Sequence, residues 1–193
     1  MGISLAKGQK ISLEKEAGGK LRSVVMGLGW DARKTKGFLG FGGSAPEIDL
    51  DASCLMLDER GSLLDACWFC QLSSKDGSLQ HTGDNRTGAG EGDDEQIVVR
   101  LDAIPANVKT LMFTVNSFTS VTFNDIENAF CRLFDESTGR EIARYNLSCN
   151  GNHTAMIMAK VYRHSGEWKM HAIGENAHGR TFEDLLPAMS RHL

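Results

Sequence analysis

The sequence predicts a mainly β protein, an antiparallel β-sandwich of two sheets with one or two short helices. Short segments of alternating apolar and polar residues recur along the chain, about nine to eleven of them, and clusters of turn residues separate them. Helical spacing is found only near residues 122–128 and at residues 181–193, where Thr181 is the predicted N-cap of a C-terminal helix and Asp184 follows three residues later. No internal repeat divides the 193 residues, so one domain over residues 1–193 is expected.

The strands of the first half are predicted from alternation that stops at glycine or at charged turn residues. In chain order they are two short pieces within residues 1–14, residues 21–30, residues 47–57 and, after a turn at residues 58–61, residues 63–72. The glycine-rich residues 33–46 form an excursion between two of these strands. Its apolar residues Phe38, Leu39 and Phe41 either anchor it to the body or form an exposed contact patch.

The strands of the second half include a buried strand and a closing hairpin. Residues 109–116 carry consecutive apolar positions, which favours a strand buried on both faces. The remaining predicted strands are residues 97–101, 129–134 and 141–147, with 154–163 and 168–173 joined by a turn at Ser165 and Gly166.

Composition and charge restrict the class of protein. The 41% hydrophobic content is enough for a sizeable core. No apolar run approaches the roughly 18 residues of a membrane span, and residues 1–7 lack the apolar region of a signal peptide, so a cytoplasmic location is expected. The net charge of −4 arises from three short acidic stretches. No basic stripe with interleaved aromatic residues is found, so nucleic acid is not an expected partner.

The loop of residues 83–95 concentrates the chemistry of the sequence. It holds five carboxylates, one carboxamide and four glycines. Anionic groups held close together repel each other unless a cation lies among them, and a set of oxygen ligands favours Ca²⁺ before Mg²⁺. An EF-hand is excluded, because Arg86 and Gly88 occupy ligand positions and Ala89 stands where glycine is required. The alternative is a solvated acidic loop without a ligand.

Two further acidic stretches favour a cation site. In a strand, Asp49 and Asp51 share one face at roughly 7 Å along the chain, and two carboxylates this close disfavour joint ionisation without a counter-charge. Asp31 lies where a strand meets a loop. Because strand ends and their loops cluster at the ends of a sandwich, the three stretches are expected to converge there. The alternative is that Asp49 and Asp51 are solvated residues at a strand entry.

The five cysteines are odd in number and lack the spacing of a disulfide framework, so reduced core thiols are expected. Cys67 and Cys70 match C-x-x-C, but in a strand they point to opposite faces, and neither a zinc site nor a disulfide is expected from them. The other three cysteines are Cys54, Cys131 and Cys149.

The sequence resembles the TerD family of tellurium-resistance and stress proteins, and it is most similar to members of the TerZ type. The resemblance covers nearly the whole chain. It is carried by the blocks GLGWDA at 27–32, IDLDAS at 48–53, HTGDNRTG at 81–88, GDDE at 92–95, ENAF at 127–130, EIARY at 141–145 and YRHSGEWK at 162–169. Two departures accompany it: the excursion at 36–46 is longer than in TerD, and no acidic residue follows Asn116, where TerD carries one.

The resemblance implies a sandwich of two antiparallel sheets that binds calcium, with two ions expected, and a role in tellurite resistance without catalytic activity. It implies other tellurium-resistance proteins or membrane-associated proteins as partners, in the cytoplasm or at the inner face of the membrane. The family's acidic positions carry over to Asp31, Asp49, Asp51, Asp84, Asn85, Asp93, Asp94 and Glu95, and Glu91 stands where members vary.

Two other functions compete with calcium binding. A metal-dependent hydrolase would use Asp49 and Asp51 as an acid/base pair or a metal-bound water, and His81, two residues before the loop, is its candidate base or else a structural histidine. Direct tellurium chemistry at thiols would need exposed cysteines of low pKa, which the strand-like surroundings of all five cysteines disfavour.

Overall fold

Two six-stranded sheets pack against each other and enclose the main hydrophobic core. The computed structural model describes residues 2–33, 48–83 and 92–193. Neighbouring strands are antiparallel apart from the first strand, Ile3–Leu5, which runs parallel to Glu141–Asn146. The predicted mainly β sandwich of two sheets is therefore confirmed.

Sheet A contains the strands on which two of the three acidic stretches lie. Its spatial order is β1-β10-β9-β3-β7-β6. Its strands are β1 Ile3–Leu5, β3 Ser23–Ala32, β6 Leu79–His81, β7 Glu95–Arg100, β9 Ile126–Asp135 and β10 Glu141–Asn146.

Sheet B carries the third acidic stretch at the start of one of its inner strands. Its spatial order is β2-β12-β11-β8-β4-β5. Its strands are β2 Lys10–Ser12, β4 Leu50–Leu57, β5 Leu63–Cys67, β8 Thr110–Ser117, β11 Ala155–His164 and β12 Glu167–Ala177.

Alternation along each strand divides its residues between the core and the outer face. In β4, Leu50, Ala52 and Cys54 belong to the main core, whereas Leu55 and Leu57 lie on the outer face of sheet B. The C-terminal segment covers that outer face with Phe182, Leu185 and Met189, which form a second hydrophobic cluster. Sheet B is therefore buried on both faces over much of its area.

The helices are shorter than the sequence predicts. The predicted C-terminal helix consists of a 3-10 turn at Phe182–Leu185, helix α2 at Leu186–Met189 and a 3-10 turn at Ser190–His192. The predicted capping box is confirmed, with Thr181 and Asp184 in the two expected roles. Helix α1, Leu13–Ala17, was not predicted; Ser12 caps its first turn. None of the helices in the described ranges is long and apolar enough to cross a membrane.

Several predicted elements differ from the structure in extent. The strand predicted at 63–72 ends at Cys67, because Trp68 and Gln71 exchange backbone hydrogen bonds in a tight turn. The helix predicted at 122–128 is a single 3-10 turn, Phe123–Asp125, and β9 begins at Ile126. The strand predicted at 21–30 extends to Ala32, so Asp31 lies within β3. The excursion at 33–46, apart from its first residue, lies outside the described residues.

Candidate metal centre at the ends of three strands

Trp30, near the end of β3, joins the three acidic stretches. Its backbone N–H donates to Asp94 Oδ2 at 2.9 Å, and its indole Nε1–H donates to the backbone carbonyl of Ile48 at 3.1 Å. Trp30 is 3% exposed, and the indole bond to Ile48 forms inside the protein. The ends of β3, β4 and β7 therefore meet around one tryptophan, as the sequence predicts. We call Asp31, Asp49, Asp51 and Asp94 at these strand ends the acidic edge.

Asp31 and Asp94 are close enough to influence each other's charge. Partial burial raises the pKa of the Asp94 carboxyl, and the negative charges of Asp31 and Asp93 raise it further, although the hydrogen bond from Trp30 opposes the change. A cation placed between Asp31 and Asp94 would remove this repulsion.

Asn128 holds the exposed Asp31 side chain in place. Its Nδ2 donates to Asp31 Oδ2 at 2.9 Å. Asn128 has φ of 55°, in the left-handed region that asparagine tolerates better than most residues. The register between β3 and β9 shifts between Gly29 and Asp31, opposite this residue. Asn128 was not among the site residues predicted from the sequence, although an asparagine inside a strand pattern is a signal for such a bulge.

Asp51 faces Asn116 across the β4–β8 ladder on the outer face of sheet B. Asp51 is 4% exposed and Asn116 is 1% exposed. The amide of Asn116 donates to the Gly179 carbonyl at 3.3 Å, whereas its Oδ1 is buried without a hydrogen-bond donor among the described residues. An amide oxygen beside a carboxylate, with a lone pair to offer, is a ligand that a hard cation accepts. Asn116 was not among the site residues predicted from the sequence.

Asp93 lies on the outer face of sheet A and has a protein cation as its partner. Arg132 of β9 donates two hydrogen bonds to it, from Nε to Oδ1 at 2.7 Å and from Nη2 to Oδ2 at 3.1 Å. Gln96 also donates to Oδ2, at 3.0 Å. The Asp93 side chain is fully buried beneath these groups. The placement of Asp93 among the metal ligands is therefore not favoured by its surroundings, because a bidentate arginine already neutralises it.

Two glycines of β3 make room for this arrangement. A Cβ atom at Gly27 would lie 2.2 Å from Asp93 Oδ2, and one at Gly29 would lie 2.5 Å from the Phe130 ring. The block GLGWDA thus combines two positions without side chains, on which Asp93 and Phe130 rest, with the tryptophan that joins the acidic stretches.

Glu95 points into the core from β7 and bonds to the other sheet. Its Oε2 accepts from the backbone N–H of Ala52 in β4 at 2.6 Å and lies 3.4 Å from His81 Nε2. His81 Nδ1 accepts from the backbone N–H of Gly83 at 3.2 Å, so the proton of the neutral ring is on Nε2, which faces Glu95. Because β5 pairs with β4 only from Cys54 onwards, the carboxylate occupies the place of a missing strand partner for Ala52. These contacts favour a structural role for His81, which is one of the two alternatives that the sequence predicts.

The oxygen ligands among the described residues suit a hard cation but do not form a complete site. All the groups at the acidic edge are oxygen donors, and the Asn116 carbonyl oxygen offers an unused lone pair. Within residues 2–33, 48–83 and 92–193, no three His, Cys, Asp or Glu side chains form a group that could hold a metal ion. The predicted ligands Asp84, Asn85 and Glu91 lie outside the described residues.

Four of the five cysteines are buried or half-buried, and Cys70 is exposed. Burial raises the pKa of Cys54 well above its usual value, and Cys67, directly opposite it across the β4–β5 ladder, raises it further. Burial likewise raises the pKa of Cys67 to about 11 and that of Cys131 to about 12. Cys149 is half-buried, and Cys70 is exposed, so the expectation that all five are core thiols is wrong for Cys70. Cys70 differs because β5 ends before it.

Comparison with known proteins gives one family along the chain. The TerD domain model matches residues 1–187. The chain is 49% identical over 185 residues to the tellurium resistance protein TerZ of Serratia marcescens, covering 95% of this chain and 94% of that protein. It is 44% identical over 199 residues to the stress response protein SCP2 of Bacillus subtilis, covering 96% and 98%. The crystal structure of a homologue of telluride resistance protein (TerD) from Streptomyces coelicolor A3(2) matches with a TM-score of 0.71 at 20% identity, over 89% of this chain and 98% of that one, which shows a shared fold.

Proposed function

The chain belongs to the TerD family, and we propose that it is a calcium-binding, non-enzymatic protein of tellurium resistance and stress response. Relatives of high identity carry these two descriptions in their names. The observation that carries the calcium part of the proposal is the meeting of three acidic stretches around Trp30, where Asp31 and Asp94 repel each other.

The described residues that would hold calcium are those of the acidic edge, together with the Asn116 carbonyl oxygen. The sequence adds Asp84, Asn85 and Glu91 from the loop between β6 and β7. Asp93 and Glu95 support the site through contacts with the rest of the protein. Asp93 attaches the start of β7 to Arg132, and Glu95 attaches it to Ala52 of β4. The two residues on either side of Asp94 therefore position its carboxylate without binding the ion.

Calcium would supply positive charge where the protein provides mainly negative charge. Binding to the folded chain but not to the unfolded one stabilises the fold by about 2.7 kcal/mol at a free ion concentration 100 times the Kd. The carboxylates would then act as a calcium-dependent clamp on the ends of β3, β4 and β7.

A non-enzymatic role is favoured over the metal-dependent hydrolase. His81, the candidate base, is 2% exposed and its Nε2 faces Glu95 in the core, so the imidazole is not available to a substrate. The buried thiols with raised pKa disfavour tellurium chemistry at Cys54, Cys67 and Cys131. We propose that the protein acts in the cytoplasm through protein partners or at the inner face of the membrane.

Thermal unfolding of the metal-stripped chain tests the calcium site. Wild type and Asp49→Asn are compared in EDTA, then with Ca²⁺ and, separately, with Mg²⁺. Wild type is expected to gain roughly 5–10 °C with saturating Ca²⁺ and much less with Mg²⁺. Asp49→Asn is expected to lose most of the Ca²⁺ gain.

A matched variant separates ligation from net charge. Asp102→Asn removes one negative charge at an exposed position of the turn after β7, away from the acidic edge. It is expected to keep the full response to Ca²⁺. An unchanged midpoint of metal-stripped wild type on adding Ca²⁺ would contradict the proposal, and so would an equal loss in both variants.

A further inference from the structure

Three basic residues lie side by side on the outer face of sheet B. The ladders pair Lys10 of β2 with His171 of β12, and His171 with Lys160 of β11. Directly opposed residues on neighbouring antiparallel strands point to the same face, with Cβ atoms about 4.5–5.5 Å apart. We call Lys10, His171 and Lys160 the basic row.

Lys10 and Lys160 flank His171, so a positive charge on the imidazole would lie directly opposite two others and would destabilise the sheet unless a counter-charge were present. Among the residues that the structure describes, none of the ion pairs includes Lys10, His171 or Lys160. Two acidic residues lie on the same face of β12, each four residues from His171. Glu167, before it, accepts a hydrogen bond from the Ser12 hydroxyl at 2.6 Å. The other is Glu175. Its carboxylate is engaged by His192 and Arg191 of the C-terminal turn.

Lys160 is the inner end of the row and is 8% exposed. Its ammonium donates to the backbone carbonyl of His192 and lies 4.9 Å from the centre of the Tyr162 ring. A carbonyl and a ring face satisfy part of its hydrogen-bonding capacity but supply no full negative charge.

His171 is the middle of the row and carries a buried polar atom without a partner. Its Nδ1 is buried and has no hydrogen-bond partner among the described residues. Burial lowers the pKa of His171, and the charges of Lys10, Lys160 and His192 lower it further. Burial also lowers the pKa of Lys160, with a contribution from Lys10. Burial is the larger cause of both shifts, and the neighbouring positive charges add to it.

We propose that the basic row is a binding site for one small oxyanion, held by the Lys160 ammonium, His171 Nδ1–H and the Lys10 ammonium. This site is independent of the calcium proposal, because it lies on the three strands at the β2 side of sheet B and shares no residue with the acidic edge. Neutral His171 needs only the tautomer with the proton on Nδ1 to donate a hydrogen bond, and an anion beside two ammonium groups forms charge-assisted bonds.

The dimensions favour a small ion over a polyanion. Three neighbouring strands span about 10 Å, which is room for one oxyanion bridging two or three side chains. The row is open at Lys10, which is exposed, and closed at Lys160, where the C-terminal turn at His192 lies above it. Oxyanions of this size include phosphate, sulfate and tellurite, the last being of interest because relatives are named for tellurium resistance.

Calorimetric titration of the full chain with phosphate, sulfate and tellurite, each at constant ionic strength, tests the site. Lys160→Met and His171→Gln are each expected to weaken binding by about tenfold, the loss of one charge-assisted hydrogen bond. Lys10→Met, at an exposed position on the short edge strand β2, is expected to weaken binding as well and does not disturb a buried group. Lys20→Met, which removes the same charge at an exposed position before β3, is the matched control and is expected to bind like wild type.

Ring resonances of His171 give an independent readout. Saturation with the anion is expected to raise the pKa of His171, because a bound negative charge favours the imidazolium form. Three results would overturn the proposal: no binding of any of the three anions, equal weakening in Lys10→Met and Lys20→Met, or binding that leaves the His171 resonances unmoved. Binding to vesicles with an anionic phospholipid, without binding of the free anions, would also overturn it in favour of a lipid surface.

Discussion

The acidic edge and the basic row are two clusters of like charge in one sandwich, and they differ in how the protein compensates them. At the acidic edge, backbone and side-chain groups already serve several of the carboxylates. Trp30 donates to Asp94, and Asn128 donates to Asp31. In the basic row, the group that serves Lys160 is a backbone carbonyl, and His171 Nδ1 has no partner among the described residues.

This contrast means that a run of like charges identifies metal ligands only after the hydrogen-bond and ion-pair partners within the protein are known. Asp93, Asp94 and Glu95 are consecutive in sequence but point in three directions. Asp93 meets Arg132 on the outer face of sheet A, Asp94 remains at the strand end, and Glu95 enters the core. The basic row, in contrast, is dispersed over three distant parts of the sequence and is assembled by strand pairing alone.

The largest expected loss of stability follows from removing the Asp93–Arg132 ion pair next to the acidic edge. Asp93→Ala leaves the Arg132 guanidinium, which is 28% exposed, without its bidentate partner. Removing one member of a buried ion pair costs about 3–5 kcal/mol, and partial exposure of Arg132 places this case near the lower end. We expect urea unfolding in EDTA to show this loss.

Glu141→Ala is the matched control, because Glu141 also contacts Arg132, but at 3.4 Å and with 26% exposure. Its effect is expected to be below about 1 kcal/mol. If Asp93→Ala unfolds like wild type in EDTA and loses only the response to Ca²⁺, Asp93 is a ligand and the contrast drawn between it and Asp94 is wrong.

A smaller effect is expected at Glu95, on the core side of the same stretch. Glu95→Gln weakens the bond from the Ala52 N–H and removes the charge that lies 3.4 Å from His81 Nε2, and a buried hydrogen bond to a charged group is worth about 1.5–3 kcal/mol. Since Glu95 acts on the fold, the loss in unfolding free energy should be equal in EDTA and in Ca²⁺. Glu59→Gln, on the exposed turn between β4 and β5, is the control. A loss of unfolding free energy seen only in Ca²⁺ would show that Glu95 is a metal ligand.

The smallest expected effect concerns the basic row and is a change in the pH dependence of stability caused by His171. The folded pKa of His171 is lowered by burial and by Lys10, Lys160 and His192, while Glu175 is engaged by His192. A histidine with a depressed folded pKa contributes stability that is fully present above its unfolded pKa of about 6.5 and is lost as the pH falls through the folded value. Wild type is therefore expected to lose more stability than His171→Gln between about pH 7.5 and pH 5.

The same measurement in phosphate connects this prediction to the proposed anion site. Bound anion raises the pKa of His171, so the extra loss at low pH should shrink in phosphate and persist in chloride at equal ionic strength. His164→Gln, at the exposed end of β11, is the control and should follow wild type. A loss in wild type no greater than in His171→Gln would show that the folded protein does not disfavour the His171 cation.

Much of the fold could be predicted because local patterns determine it. Alternation located nearly every strand, and the turn at Asp58 and Gly61 and the hairpin at Ser165 and Gly166 were confirmed. The edge strand β6 and the ends of β5 and β9 could not be predicted as well. Their extent depends on pairing with distant strands, which no local pattern records.

The acidic stretches were found from sequence because like charges close together along the chain are visible there. That they gather at one end of the sandwich follows from the strand ends on which they lie. Which of them point at that end does not follow, because a shift of one residue sends a side chain to the opposite face. The roles of Asn128 and Asn116 also needed the structure, since one depends on a bulge and the other on register with β4.

By itself, the sequence of this protein determined the β-sandwich, the apolar faces of its strands and the presence of an oxygen-rich region suited to a hard cation. The tertiary structure decided that Asp93 pairs with Arg132, that Glu95 joins the two sheets, and that Lys10, His171 and Lys160 form a row. The physical reason is distance along the chain: alternation and charge runs act between neighbours, whereas ion pairs and cross-strand rows act between residues that only the folded sheets bring together.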